Sequence, residues 1–458
     1  METFTIMSNE IEGRIDPHFY RPSFIRFYQQ LEKTSFEIKT IGEIAEKVTS
    51  GATPKSKGDA YTSKDEGIPF IRSGDISEDK NINFDDVLYI KPEIHNKLLK
   101  GSKLKRGDVL IAIVGATIGQ VSIYDYDREA NINQAIALVR LKQGINPEYV
   151  KAFLLSSLGQ KQLDRIKRPV ARANINLDEI RSIKIIFPSL EIQNKVVSLM
   201  QRAYEEQKNK EKKISEFFDS INDYVLSELG IKLPELKDKM TFVVYADDVK
   251  GKRIDAYYYQ PKFKEIEKAI EKGKFGITKG KEVFEKIESG KGISPEEKIE
   301  GGIPYIEVNH LTKIGIKETN IFVSPKSKPK LAEKEDILTG RVGSIGTFVI
   351  FNEDKKMAFS DNILRIKVKE SLNKDYLVFV LNSSIITYQI DRSKKGSLQD
   401  VINQKTLENL KIPLPPIEIQ NKIAEEVKRR MEKAEQLQKE AKEELEKAKA
   451  EVERMILG

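Results

Sequence analysis

A chain of 458 residues is too long for one ordinary domain and long enough to bury two sizeable cores. A hydrophobic share of 39% with 33% charged residues suits soluble globular structure, and the absence of cysteine excludes disulfides and thiolate metal sites. The net charge is +7; stretches 191–229 and 417–458 hold six Lys/Arg against eight Asp/Glu and ten against eleven, so the rest of the chain carries +10.

That excess falls in the globular parts, where a polyanion can use it, although a Lys/Glu-rich solvated surface gives the same total. His18, His95 and His310 are far apart, so neither a metal site nor a bound cofactor is expected. No apolar run approaches the roughly 18–20 residues needed to span a bilayer. The opening METFTIMSNEIEGRID lacks the basic start and apolar stretch of a signal peptide, so the expectation is a cytoplasmic protein with no membrane contact.

In chain order, the first half starts with Arg14-Ile15-Asp16, then Phe19-Tyr20 and Pro22. Short β-branched runs at Val109–Val114, Ala135–Leu141 and Ile183–Phe187 predict strands. A helix of about 15 residues is predicted over Pro147–Leu163 before a basic loop, Asp164-Arg165-Ile166-Lys167-Arg168. After Pro188 a long charged helix follows, with Ile192, Val196, Leu199 and Ala203, then Ile214, Phe217, Ile221 and Val225 in a shifted phase.

The second half repeats this plan. Arg253-Ile254-Asp255 precedes Tyr258-Tyr259 and Pro261, Gly67-Ile68-Pro69-Phe70-Ile71 returns as Gly302-Ile303-Pro304-Tyr305-Ile306, and later matches settle at an offset of 227. Strands are predicted at Gly346–Phe351, Ile363–Val368 and Leu410–Leu414, and a helix over Asn373–Ile390 before Asp391-Arg392-Ser393-Lys394-Lys395. The closing helix carries Val427, Met431, Ala434, Ala441, Leu445, Ala448, Val452 and Met455 on alternating four/three spacing, a heptad seam. At 1.5 Å per residue each long helix runs roughly 55–60 Å, neither long enough nor apolar enough to be stable alone in water, so the two are expected to pair antiparallel. Packing of each helix on its own domain is the alternative.

The ordered strings Ser50-Gly51-Ala52-Thr53-Pro54, Gly67 to Ile76, Gly107-Asp108-Val109-Leu110-Ile111, Gly115-Ala116-Thr117-Ile118-Gly119 and Asn133-Gln134-Ala135 recur in altered form in the second half. Each half ends on a Pro-led helix entry, Pro188 to Lys195 and Pro413-Leu414-Pro415-Pro416-Ile417-Glu418-Ile419-Gln420. Together they resemble the specificity subunits of Type I restriction–modification systems over essentially the whole chain. The resemblance implies a mixed α/β fold with two target-recognition domains, 1–188 and 232–413, each followed by a long helix, 189–231 and 414–458. It further implies double-stranded DNA as ligand, two methyltransferase subunits and restriction/translocase subunits as partners, and helices that set the unread spacer. The second half has Ser289-Gly290-Lys291-Gly292-Ile293-Ser294-Pro295, and Glu307-Val308-Asn309-His310 replaces Arg72-Ser73-Gly74-Asp75. The two half-sites are therefore expected to differ.

Candidate DNA contacts follow from residue chemistry. Arg165, Lys167, Arg168 and Arg172, with Arg392, Lys394 and Lys395, offer clustered cations for phosphates, against a role in complementing a helix C-terminus. The Gly-rich turns place Thr117, Gln120, Arg341 and Ser344 near a groove, or are turns between strands and nothing more. Lys291 and the matched residues Arg72, Ser73, Asn309 and His310 complete the set; Arg suits guanine and Asn adenine. Asn146-Pro147-Glu148-Tyr149 has only a superficial likeness to a methyltransferase motif, since Asn373-Lys374-Asp375-Tyr376 matches it without proline and both read as capped helix starts. No phosphate-binding loop is present, so no catalytic centre is expected. The competing readings are a coiled-coil scaffold without DNA specificity and, less favoured, a self-sufficient methyltransferase that binds S-adenosylmethionine.

Overall fold

The computed structural model describes residues 4–6, 11, 14–54, 59–76, 82, 84, 86–168, 173–235, 239–250, 253–343, 345–393 and 401–457. The chain divides into two compact units, residues 1–210 with 439–458, and residues 211–438.

In the first unit, strands Ala45–Ser50, Ile136–Leu141, Asp108–Ala112 and Val121–Tyr124 form an antiparallel sheet in that order. Every residue of Asp108–Ala112 is buried. The reason is the two-residue period of a strand covered on both sides: Val109 and Ile111 join the larger core, while Leu110 joins a smaller one beneath the other face. A second sheet has Ile68–Ile71 between Leu88–Ile90 and Asn131–Ile132, parallel to the latter. Glu37–Thr40 pairs with Lys184–Phe187.

The second unit repeats the first sheet with Phe284–Ser289, Ile363–Val368, Ile337–Gly340 and Phe348–Ile350, in the same order. Register shifts fall at matched places, between Ala45 and Lys47 and between Phe284 and Lys286. Ile277–Lys279 pairs with Lys411–Pro413, as the corresponding strands do in the first unit. Strands are thus found at all six expected places.

The helix predicted over Pro147–Leu163 is instead two, Pro147–Leu155 and Ser157–Ile166. Ser156 turns out of helical geometry, with φ −69° and ψ 166°, and lets Gly159 approach the Leu154 backbone so closely that a Cβ there would lie 2.5 Å from the Leu154 oxygen. The second copy breaks likewise into Lys374–Leu381 and Ser384–Ser393. Asn146 and Asn373 cap their helices as expected, each accepting a backbone N–H at 2.9 Å.

The long helices are Leu190–Leu229 and Ile417–Leu457. In the second unit they run antiparallel: Lys422 pairs with Glu228 at 3.0 Å, and Arg430 Nη1 donates to the Ser220 carbonyl at 2.9 Å. Ile221, Val225 and Leu229 there share a core with Ile423, Ala424 and Val427. In the first unit Val196, Met200 and Ala203 share a core with Leu445, Ala448, Val452 and Ile456, and Lys210 reaches Glu444 at 2.6 Å. The heptad seam is therefore the pairing surface, with Met431 and Met455 at its half-buried edges.

Candidate nucleic-acid interface

Strand Ile68–Ile71 delivers the chain to a short turn, Ser73–Asp75. Buried Asp75 accepts the Arg72 backbone N–H at 2.8 Å and the Arg72 guanidinium at 3.1 Å. The guanidinium also donates to the Asp86 carbonyl at 3.0 Å and stays 40% exposed. Its pKa is raised, chiefly by the hydrogen bond it donates to Asp75, so it is a fixed cation on a short tether. In the second unit the Glu307 N–H donates to His310 Nδ1 at 3.0 Å, so His310 takes the position of Asp75. His310 is buried for that purpose, and Asn309 beside it is the exposed residue.

Between strands Asp108–Ala112 and Val121–Tyr124 the chain turns through Gly115–Thr117. Gly115 at φ 78° and Gly119 at φ 95° hold left-handed conformations, and a Cβ on Gly119 would lie 2.6 Å from Gln160 Oε1. The amides of Gly115, Ile118, Gly119 and Gln120 all donate to backbone carbonyls, so these four are unavailable to phosphates. Thr117 Oγ1 donates to the Val114 carbonyl at 3.3 Å, and Gln120 Oε1 is buried.

The basic loops divide. Arg165 is buried: its guanidinium stacks 3.9 Å from the Phe19 ring centroid and 4.4 Å from that of Tyr28, and Nε donates to the Phe19 carbonyl. Arg392 does the same over Tyr258 at 4.4 Å and pairs with Glu267 at 2.9 Å. Both guanidiniums are engaged inside the fold, which removes them from the exposed cationic set. Lys167, 41% exposed, lies 3.5 Å from Asp164, and Arg168, 36% exposed, pairs with Glu179 at 2.8 Å. Lys291 pairs with Glu297 at 3.5 Å and donates to the Ser327 carbonyl, while Arg341 is exposed. Arg172, Ser344, Lys394 and Lys395 lie outside the described residues.

In each unit the structure joins the glycine turn to the segment that follows the basic loop in sequence, residues 173–174 in the first and 401–402 in the second. Val114 bridges to Asn174 and Val342 to Val401. Gly115 N donates to the Ala173 carbonyl at 3.0 Å, and Ile402 N to the Arg341 carbonyl at 2.9 Å. Sequence reasoning missed the exposed stack of Arg128 on Phe84, 3.4 Å to the ring centroid, because nothing in sequence spacing joins those residues. It also missed Glu179, which pairs with both Arg14 and Arg168. Among the described residues no group of His, Asp and Glu is arranged to hold a metal, and no helix is long and apolar enough to cross a membrane.

A doubled α/β frame carrying diverged loops defines the class, and the sequence places the chain in it. The model of the Type I restriction modification DNA specificity domain matches residues 33–217 and again 273–447, and the chain belongs to that family. The curated relatives it matches are named specificity subunits. The chain is 26% identical over 435 residues to a protein of Methanocaldococcus jannaschii provisionally named the type I restriction enzyme MjaX specificity subunit, covering 92% of each. It is 29% identical over 166 residues to the EcoBI specificity subunit of Escherichia coli, covering 36% of this chain and 34% of that one. The crystal structure of a Type I restriction–modification S subunit from M. genitalium aligns over 93% of this chain and 97% of that one, at 14% identity and a TM-score of 0.39.

Proposed function

We propose that this specificity subunit reads an asymmetric, bipartite site on double-stranded DNA in the cytoplasm, one half-site per unit. It docks two methyltransferase subunits and the restriction/translocase subunits, and needs no cofactor of its own. One observation carries the reading: the same sheet and loop plan is built twice, yet the matched loop residues differ, Arg72-Ser73-Gly74-Asp75 against Glu307-Val308-Asn309-His310. Equal frames with unequal loops suit two different short sequences.

The contacts we assign are Arg72, Ser73, Thr117, Lys167 and Arg168 in the first unit and Lys291, Asn309 and Arg341 in the second, with Arg172, Ser344, Lys394 and Lys395 flanking them. Target-recognition domains at 1–188 and 232–413 and helices at 189–231 and 414–458 are the functional division that goes with this reading. Sequencing of methylated bases in DNA modified by the complex tests it. A split motif with different halves is expected, and methylation at a continuous motif, or without sequence preference, contradicts it.

A further inference from the structure

The two copies present one surface twice, so an exposed apolar residue kept in both asks for an explanation outside folding. Ile15 and Ile254 are such a pair, 89% and 85% exposed in the middle of the repeated Arg-Ile-Asp motif. Single exposed apolar residues are ordinary; these are held in place by matched clamps. Arg14 Nε donates to Asp16 at 2.7 Å, Nη1 donates to the Ile166 carbonyl at 2.6 Å, and the Tyr20 hydroxyl donates to the Arg14 carbonyl at 2.7 Å. In the second unit Arg253 Nε donates to Asp255 at 2.7 Å, Nη1 to the Ser393 carbonyl at 2.8 Å, and the Tyr259 hydroxyl to the Arg253 carbonyl at 2.6 Å.

Each clamp also borders an open cleft, of about 790 Å³ in the first unit and about 570 Å³ in the second. Arg14, Arg168, Glu179 and Lys184 line the first; Arg253, Glu267, Arg392 and Lys411 line the second. Both signs of charge face each cleft, as they do at a protein-binding surface, and of the described residues assigned to DNA only Arg168 is among them. Among the described residues Arg14 Nη2 is buried without an acceptor.

We infer that Ile15 and Ile254 anchor a repeated protein-docking surface, one per unit, each seated in the same apolar socket on one copy of a partner that binds twice. On the reading proposed above, that partner is the methyltransferase subunit. A partner bound once, or two unlike partners, would leave the matching exposure of Ile15 and Ile254 without a cause.

The test titrates the full chain with its methyltransferase subunit and reads stoichiometry by native mass spectrometry and affinity by calorimetry. Ile15→Asp and Ile254→Asp are each expected to weaken one of two sites about tenfold or more, and the double variant both. Ile15→Ser and Ile254→Ser are expected to show a smaller loss in the same direction, and unchanged melting curves establish that the fold is kept. A double Asp variant that binds two copies at wild-type affinity overturns the inference. So does one that keeps both copies while losing DNA affinity, which would assign the isoleucines to the DNA surface. If the wild-type chain binds no methyltransferase subunit, the proposed function fails, and this inference with it.

Discussion

The backbone N–H of Ser157 donates to Glu453 Oε1 at 3.0 Å, joining positions 296 residues apart within the first unit. In the second unit the matched Ser384 N–H donates to Asn222 Oδ1 at 2.8 Å. In each unit, then, a side chain near the end of a long helix satisfies an orphan donor in the first turn of a domain helix. The first unit is completed by the last helix of the chain, through Leu445, Ala448, Val452 and Ile456.

Ile456→Ala removes a fully buried side chain and is expected to destabilise the first unit by about 2–5 kcal/mol. Glu453→Ala costs about 1 kcal/mol through the lost hydrogen bond. Thermal melts measure both, and limited proteolysis is expected to cut first within residues 14–187.

Gly51→Ala and Gly290→Ala test why the serine-glycine pair occurs twice. A Cβ on Gly51 would lie 1.7 Å from the Ile132 oxygen, and one on Gly290 would lie 2.1 Å from the Phe359 oxygen. Backbone cannot yield as a flexible side chain does, so a loss of about 1–3 kcal/mol in chemical denaturation is expected for each.

Arg165→Ala and Arg168→Ala should separate two kinds of arginine. The first loses its stacking on Phe19 and Tyr28 and one hydrogen bond, lowering stability by about 2 kcal/mol with the salt dependence of DNA binding unchanged. The second is expected to reduce the slope of log affinity against log salt by about 1, with little change in stability. Binding titrations at several salt concentrations, with melting curves alongside, read both.

Acid should loosen both clamps. Burial raises the pKa of Asp16, but the hydrogen bond and charge of Arg14 with the Phe19 N–H more than offset it, leaving the group below its usual 3.8. Asp255 is lowered below 3.8 in the same way, by Arg253 and the Tyr258 N–H against burial. A depressed folded-state pKa stabilises the fold above the unfolded value and ceases to do so as pH falls through the folded value. Below about pH 4, therefore, the wild type should lose stability more steeply than an Asp16→Asn, Asp255→Asn variant. Melting temperatures between neutral and acid pH measure this, and parallel curves would contradict it.

The repeat, the strands and the heptad seam were legible because each rests on local periodicity or on spacing that the chain states twice. Val427, Ala434 and Val452 are fully buried as their spacing requires. The break at Ser156 was not legible, since Gly159 in an apolar helix announces no backbone contact with Leu154 until the two are seen together. The basic loops divide for a related reason. Arg165 has the residue type of a phosphate contact, and only the tertiary position of Phe19 and Tyr28 turns its guanidinium inward. Of the matched pair Asn309 and His310, sequence chemistry favours both, whereas the turn consumes the histidine.

Selection of bound duplexes from a randomised DNA library, using the chain with its methyltransferase partner, tests the central claim most directly. Two short sequence blocks of different composition, separated by an unread gap of fixed length, are expected. One continuous block would mean that a single unit reads DNA, and no enrichment would contradict sequence reading by either unit.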